Sequence, residues 1–485
     1  MSDGGIIVLV GAIVHSISLG ELEMLSRGAL VADNGVILRV VDLTKKNCSL
    51  EELCGELKNS NNGRNVVMRD FGESLIMPGF IDTHCHAPQY VFTGTGMDLP
   101  LLQWLEKYTF PCESRFNDEE FARKAYKRSV KAHLANGSTF CSYFATIHTP
   151  AAIALAEVCE ELGQRAYIGK VSMDRNSPDF YIEETSEGCK DAELFVRTVL
   201  AKSEKGQAFL DRVDSGSPPA LMNDPQATPL ILPAITPRFV PTCTAEMMAE
   251  LGRIGAKYSV PMQSHLSENK DECAWVASLH PDIKGYARVY DEYNLLNDKT
   301  CMAHCVYSDL EERALMKKNG CGVSHCASSN FSLCSGVMDI RVFLKEGLKV
   351  GLGTDVAGGY SCSMLDAMRQ SLTASIVSSI RRRDANEANN EGEGEPLAPL
   401  SYQEAFYLAT MGGAEVLNMD KVVGNFAPGK RLDALVVDLN VPDSPVDIFD
   451  FENLSEKFQK FIYLANDRNI THIYVDGRLV KNPRE

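Results

Sequence analysis

Eight short apolar segments recur along the chain, each separated from the next by room for a helix. That spacing restricts the fold more than any other feature of the sequence. The segments fall at residues 80–86, 139–143, 166–171, 230–235, 259–265, 300–304, 322–325 and 350–355. The spacers carry helical periodicity, as at 118–136 and 151–163. Parallel strands joined by helices are buried on both faces, so they read as nearly continuous apolar runs. Eight such units over this length is the count for a closed barrel of the TIM (β/α)8 type. A doubly wound sheet would want a glycine-rich phosphate loop after an early strand, and the sequence has none.

The barrel segments are flanked by stretches of different texture. Residues 6–13, 29–33 and 36–41 read as short strands, with Asn34-Gly35 as a hairpin turn between the last two. Residues 66–71 suggest another strand, and 43–65 read as a polar insertion or loop. The β pattern returns at 434–438 and 472–475, followed by the turn signal Asp476-Gly477 and a strand at 478–480. Chain ends of a domain often lie close together. The fold class expected is therefore α/β: a TIM-type (β/α)8 barrel with a small β-sandwich domain built from the N- and C-terminal segments. The divisions fall at 1–77, 78–423 and 424–485. Residues 203–229 and 384–397 lack periodicity and read as surface excursions.

Composition narrows the partners. The formal net charge of −17 argues against a nucleic-acid or anionic-membrane partner, which favours a basic face. The fifteen cysteines are scattered without a Cys-x-x-Cys, as free thiols in a reducing compartment would be. The run 6–13 is too short to cross a bilayer, and Met1-Ser2-Asp3-Gly4-Gly5 lacks the basic start of a secretory signal. A cytoplasmic protein is expected.

The chemistry gathers at the strand ends, where barrels of this type carry their active sites. His84 and His86 lie two apart in Asp82-Thr83-His84-Cys85-His86, so on a strand their imidazoles share one side. His265, His304 and His325 also end segments, and Asp355 ends Gly351-Leu352-Gly353-Thr354-Asp355. Glu268 follows His265 by three residues. Three imidazoles and one carboxylate, from His84, His86, His265 and Asp355, suit Zn²⁺ or Fe²⁺ with a position open to water. Glu268 fits a proton shuttle, Asp355 a ligand that also accepts a proton from water, and His304 an electrostatic partner for a tetrahedral centre. Singly, each has a plainer reading: a core histidine, a carboxylate at a helix start, an N-cap. His325 reads as structural.

Taken together, the motifs Pro78-Gly79-Phe80-Ile81-Asp82-Thr83-His84-Cys85-His86, Ser264-His265-Leu266-Ser267-Glu268, Met302-Ala303-His304 and Gly351-Leu352-Gly353-Thr354-Asp355 resemble the amidohydrolase superfamily. The end of the fourth strand, Ile235-Thr236-Pro237-Arg238-Phe239, offers no lysine to bridge a second metal, which points to the mononuclear branch. Within it the chain is similar to the guanine deaminase family, through His86-Ala87-Pro88-Gln89, Trp104-Leu105, Thr236-Pro237-Arg238-Phe239 and Gly353-Thr354-Asp355-Val356-Ala357-Gly358-Gly359 among others. Pro88 and the excursion ahead of the fourth strand depart from the family pattern.

The resemblance implies zinc held by His84, His86, His265 and Asp355, and a shuttle at Glu268. It implies a purine pocket lined by Gln89, Arg238 and Phe239, with His86, His265, Glu268 and Asp355 at the reacting end and His304 near the reacting carbon. It further implies a homodimer acting on a small purine in purine catabolism. Arg238, which only donates, suits the O6 carbonyl of guanine and clashes with the amine of adenine. Gln89 both donates and accepts. Two other readings stand beside this one. The first is a mononuclear amidohydrolase acting on another aminated heterocycle, of pterin, triazine or adenosine type. The second is a non-catalytic scaffold, which would be expected to lack the ligands that this chain keeps.

Overall fold

A computed structural model describes residues 5–45, 49–60, 65–216, 221–389 and 397–480. The N-terminal stretch forms four strands: β1 (Gly5–Ser18), β2 (Glu21–Asp33), β3 (Val36–Asp42) and β4 (Asn65–Pro78). The turn between β2 and β3 places Asn34 and Gly35 at φ 48° and 76°. Both central residues are left-handed, as a two-residue turn matching strand twist requires.

The next eight strands are β5 (Phe80–His86), β6 (Ser138–Phe144), β7 (Arg165–Ser172), β8 (Ile231–Pro237), β9 (Met262–Leu266), β10 (Thr300–His304), β11 (Gly322–His325) and β12 (Lys349–Leu352). They lie side by side in sequence order, all parallel. Beyond β12 the chain returns to β5, where the Asp355 amide donates to the His84 carbonyl at 2.9 Å and Thr83 Oγ1 donates to the Leu352 carbonyl at 2.9 Å. The expected (β/α)8 barrel is the observed one. Between the strands, Asp118 caps the helix Glu119–Ala135 by accepting from the amides of Glu120 and Phe121, and Gly163 ends Thr149–Leu162 at φ 74°.

Three C-terminal strands, β13 (Ala434–Val437), β14 (Ile470–Val475) and β15 (Arg478–Val480), join β1–β4. The sandwich expected of the two ends takes the form of one seven-stranded sheet in the order β15-β14-β13-β4-β1-β2-β3. β4 runs into β5 through Gly79, where an added Cβ would meet Thr139 Oγ1 at 2.0 Å. Only glycine lets the two strands pass there. A buried ion pair ties the barrel to this sheet: Arg165 Nε and Nη2 donate to Asp433 at 3.0 and 3.2 Å.

Three sequence expectations are corrected. The stretch 43–65 is not a plain loop: it holds the helix Leu50–Ser60, whose Leu53 and Leu57 pack on Val8, Val10 and Val31. The stretch 203–229 contains the helix Glu204–Asp214, capped by Ser203 and anchored by buried Phe209 and Leu210. The helix Met364–Asn389 extends through 384–389. Of the remainder of these stretches, residues 46–48, 61–64, 217–220 and 390–396 lie outside the described residues. No described helix is long and apolar enough to cross a membrane.

Candidate active site

The first barrel strand alternates its side chains across the sheet. His84 and His86 turn toward the barrel mouth, while Cys85 faces the core. Three strand ends then converge. His86 Nε2 lies 3.1 Å from His265 Nε2. Asp355 Oδ1 lies 3.2 Å from His84 Nε2 and 3.6 Å from His86 Nε2. Donor atoms held tetrahedrally at about 2.0–2.2 Å from one ion sit about 3.3 Å apart. His84, His86 and His265 are spaced as one candidate ligand group and His84, His304 and Asp355 as another, with Asp355 reaching the first group through His84 and His86.

The donor chemistry agrees. The ring of His265 is oriented by its Nδ1, which donates to the Arg238 carbonyl at 2.6 Å, so Nε2 carries the lone pair. His84 Nε2 is buried with no hydrogen-bond partner among the described residues, although Asp355 is close. Burial pushes the imidazoles of His86 and His265 well below their ordinary pKa, and crowding by the neighbouring imidazoles adds to the effect. They are thus neutral, as ligands must be. Burial works to raise the Asp355 carboxyl, but the surrounding imidazoles of His84, His304 and His86 outweigh it and hold the group below the usual carboxylate range.

Asp355 is aimed from behind. Its backbone sits at φ 48°, just past β12, and the preceding Thr354 donates through its amide and Oγ1 to Asp82 at 3.0 and 2.5 Å. Asp82, Cys85 and His133 form a second buried cluster below the site, with His133 Nε2 3.8 Å from Asp82.

His304 stands beside this set. Its Nδ1 faces Asn330 Oδ1 at 2.9 Å, which leaves Nε2 3.5 Å from Glu268 Oε2 and 3.7 Å from Asp355 Oδ2. Burial lowers its pKa, but Glu268 and Asp355 reverse the shift and raise it. Glu268 is pushed up to about 7, chiefly by burial and partly offset by His304. Its Oε1 accepts from Ser335 Oγ at 2.8 Å. A carboxyl poised near neutrality both gives and takes protons at working pH.

The site opens on one pocket, with an empty volume of about 410 Å³. His86, Gln89, Arg238, Phe239, His265, Glu268, His304 and Asp355 line it, joined by Trp104, Leu105 and Glu272. Every residue singled out from the sequence for the reaction lines this pocket except His84, which lies behind it in the candidate metal-holding cluster. Phe239 also meets Trp275 edge to face, with ring centroids 6.2 Å apart. Arg238 is not free: its Nη1 and Nη2 donate to Glu113 at 2.6 and 3.2 Å. Those two bonds leave three of its five donors.

Sequence reading missed Glu113, Asn330, Ser335 and Glu272. Glu272 had a readable signal, because Asn269-x-x-Glu272 is a capping box and both of its bonds are present. Glu113 had none. It closes the four-residue helix Phe110–Glu113, in a stretch of short irregular turns.

The model of the Amidohydrolase family matches residues 75–480. The chain belongs to the amidohydrolase family, as its barrel and its imidazole–carboxylate cluster lead one to expect. Its relatives are more particular. It is 43% identical to the guanine deaminase of Dictyostelium discoideum, over 97% of each chain. It is 40% identical to that of Homo sapiens, over 97% of this chain and 95% of the other. Among solved structures it matches the guanine deaminase from C. acetobutylicum with guanine bound in the active site. The TM-score is 0.81 at 34% identity, covering 98% of this chain and 100% of that one.

Proposed function

We propose that the chain deaminates guanine hydrolytically, giving xanthine and ammonia, with one divalent metal held by His84, His86, His265 and Asp355. The observation that carries this reading is the union, in one buried pocket, of a neutral imidazole–carboxylate cluster, a carboxyl titrating near neutrality, and the polar pair Gln89 and Arg238. Such an ion, when bound, makes water acidic enough to ionise near neutral pH.

The chain's own residues do the rest. Glu268 takes a proton from the attacking water as the O–C2 bond forms, and hands it to the departing amine as the C2–N bond breaks. His304, held by Asn330, stabilises the negative charge that develops on the oxygen bound to the tetrahedral carbon. Asp355 accepts the second water proton, which ends on ring N3, so that neutral xanthine and ammonia leave and both carboxyl groups return to their starting state. Arg238 and Gln89 recognise O6 and N1–H, and Phe239 packs against the ring. Zinc as the ion, and a homodimer in the cytoplasm, belong to the same proposal, supported by the N/O donor set and the likeness to the family.

The test is ammonia release by purified, metal-analysed protein. Guanine is expected to be turned over, with adenine and cytosine at least about a hundredfold slower by kcat/KM, the scale that an unpaired buried donor imposes. Equal turnover of adenine would overturn the substrate. Absence of bound metal, with no activity after zinc or iron is added, would favour the scaffold.

A further inference from the structure

We infer that Glu113, which does not line the pocket, is a positioning residue that sets the substrate edge the pocket accepts. This inference rests on the guanine reading above. Glu113 is fully buried and meets four donors: Arg238 Nη1 and Nη2, Gln89 Nε2 at 2.9 Å, and Tyr181 OH at 2.8 Å. These partners come from loops after three different barrel strands, so one carboxylate gathers three separate stretches of chain. Arg238 also lies over the Phe110 ring, its guanidinium carbon 5.1 Å from the centroid. The helix that supplies the counter-charge thus supplies the stacking face as well.

The consequence for recognition lies in Gln89. An ionised carboxylate only accepts, so the Gln89 atom beside Glu113 must be Nε2. The backbone amide of Ala357 only donates, and it meets Gln89 Oε1 at 3.1 Å. These two contacts fix which way round the amide stands. What remains for a ligand is one N–H of Nε2 and one lone pair of Oε1, in a set order. Arg238, its charge balanced inside the fold, keeps its other donors. An adjacent acceptor and donor complement this pair, as the 6-oxo group and N1–H of an oxopurine do. Without Glu113 the Gln89 amide is oriented by the Ala357 N–H alone, its Nε2 loses its partner, and Arg238 is a buried charge without a counter-ion.

The test uses metal-loaded protein and two ligands that carry no 2-amino group. Hypoxanthine keeps the 6-oxo group and N1–H; unsubstituted purine lacks both. In Glu113→Gln, binding of hypoxanthine is expected to weaken at least about tenfold, and purine by less than about threefold. Glu113→Asp keeps the charge that Arg238 needs, so it is measured as well, with the ratio of the two dissociation constants expected to fall in the same direction. Equal weakening of both ligands, the signature of a merely structural role, overturns the inference, and so does an unchanged ratio in either variant. If wild type releases ammonia from guanine and the ratio does not move, this inference alone fails. If wild type releases none, the underlying reading fails.

Discussion

Glu268→Gln separates the chemical role of this carboxyl from its cost to the fold. The side chain is 3% exposed and titrates at about 7 against an ordinary value of 4.5. Because the folded state holds the proton more tightly than the unfolded chain, stability falls as pH rises from the lower value to the higher, and is level beyond it. At about 1.36 kcal/mol per unit, this cost is about 1.4 kcal/mol at pH 5.5 and about 3.3 kcal/mol at pH 8. Glutamine keeps the shape and removes the titration. In metal-free protein, the stability of Glu268→Gln relative to wild type is therefore expected to gain about 2 kcal/mol between those two pH values. For 485 residues the unfolding entropy is about 1 kcal/mol/K, so the gap between the two melting temperatures widens by about 2 °C toward high pH. The metal-loaded variant should meanwhile keep its metal and lose at least about a hundredfold in kcat. Thermal unfolding at the two pH values and steady-state kinetics check both halves. A gap that narrows with pH refutes the burial argument, and a kcat within about threefold of wild type removes Glu268 from the reaction.

Two further outcomes follow from the same geometry. Treatment with a chelator is expected to abolish ammonia release and lower the melting temperature, and zinc should restore both, because the neutral imidazoles and Asp355 are left facing one another without the ion. Elemental analysis then reads about one ion per chain, and two would bring the Asp82–Cys85–His133 cluster into question. Arg165→Met leaves Asp433 buried without its partner between barrel and terminal sheet. It should cost about 3–5 kcal/mol, which differential scanning calorimetry reads as a loss of about 3–5 °C.

The architecture was legible because it is written locally. Each barrel strand is a short apolar run, and two of the hairpins among the described strands carry a dipeptide whose residues tolerate positive φ, Asn34-Gly35 and Asp476-Gly477. The helix Leu50–Ser60 escaped because its stretch is polar and rich in asparagine. Ser49-x-x-Glu52 at its start is nonetheless a capping box, with both bonds formed. Glu204–Asp214 likewise starts at a capping serine and was hidden by its charged surface face.

The candidate metal cluster was legible for a related reason. A (β/α)8 barrel brings its strand ends together whatever the lengths of its loops, so residue type at a strand end is nearly enough to place His84, His86, His265 and Asp355. The proposed recognition network was not. Glu113 reaches Gln89 across 24 residues and Arg238 across 125, from a four-residue turn with no periodicity. The sequence by itself determined which groups could bind an ion and move a proton. Only the tertiary structure decided which way those that recognise the substrate are turned, because an amide's orientation and a guanidinium's partner depend on neighbours supplied by distant loops.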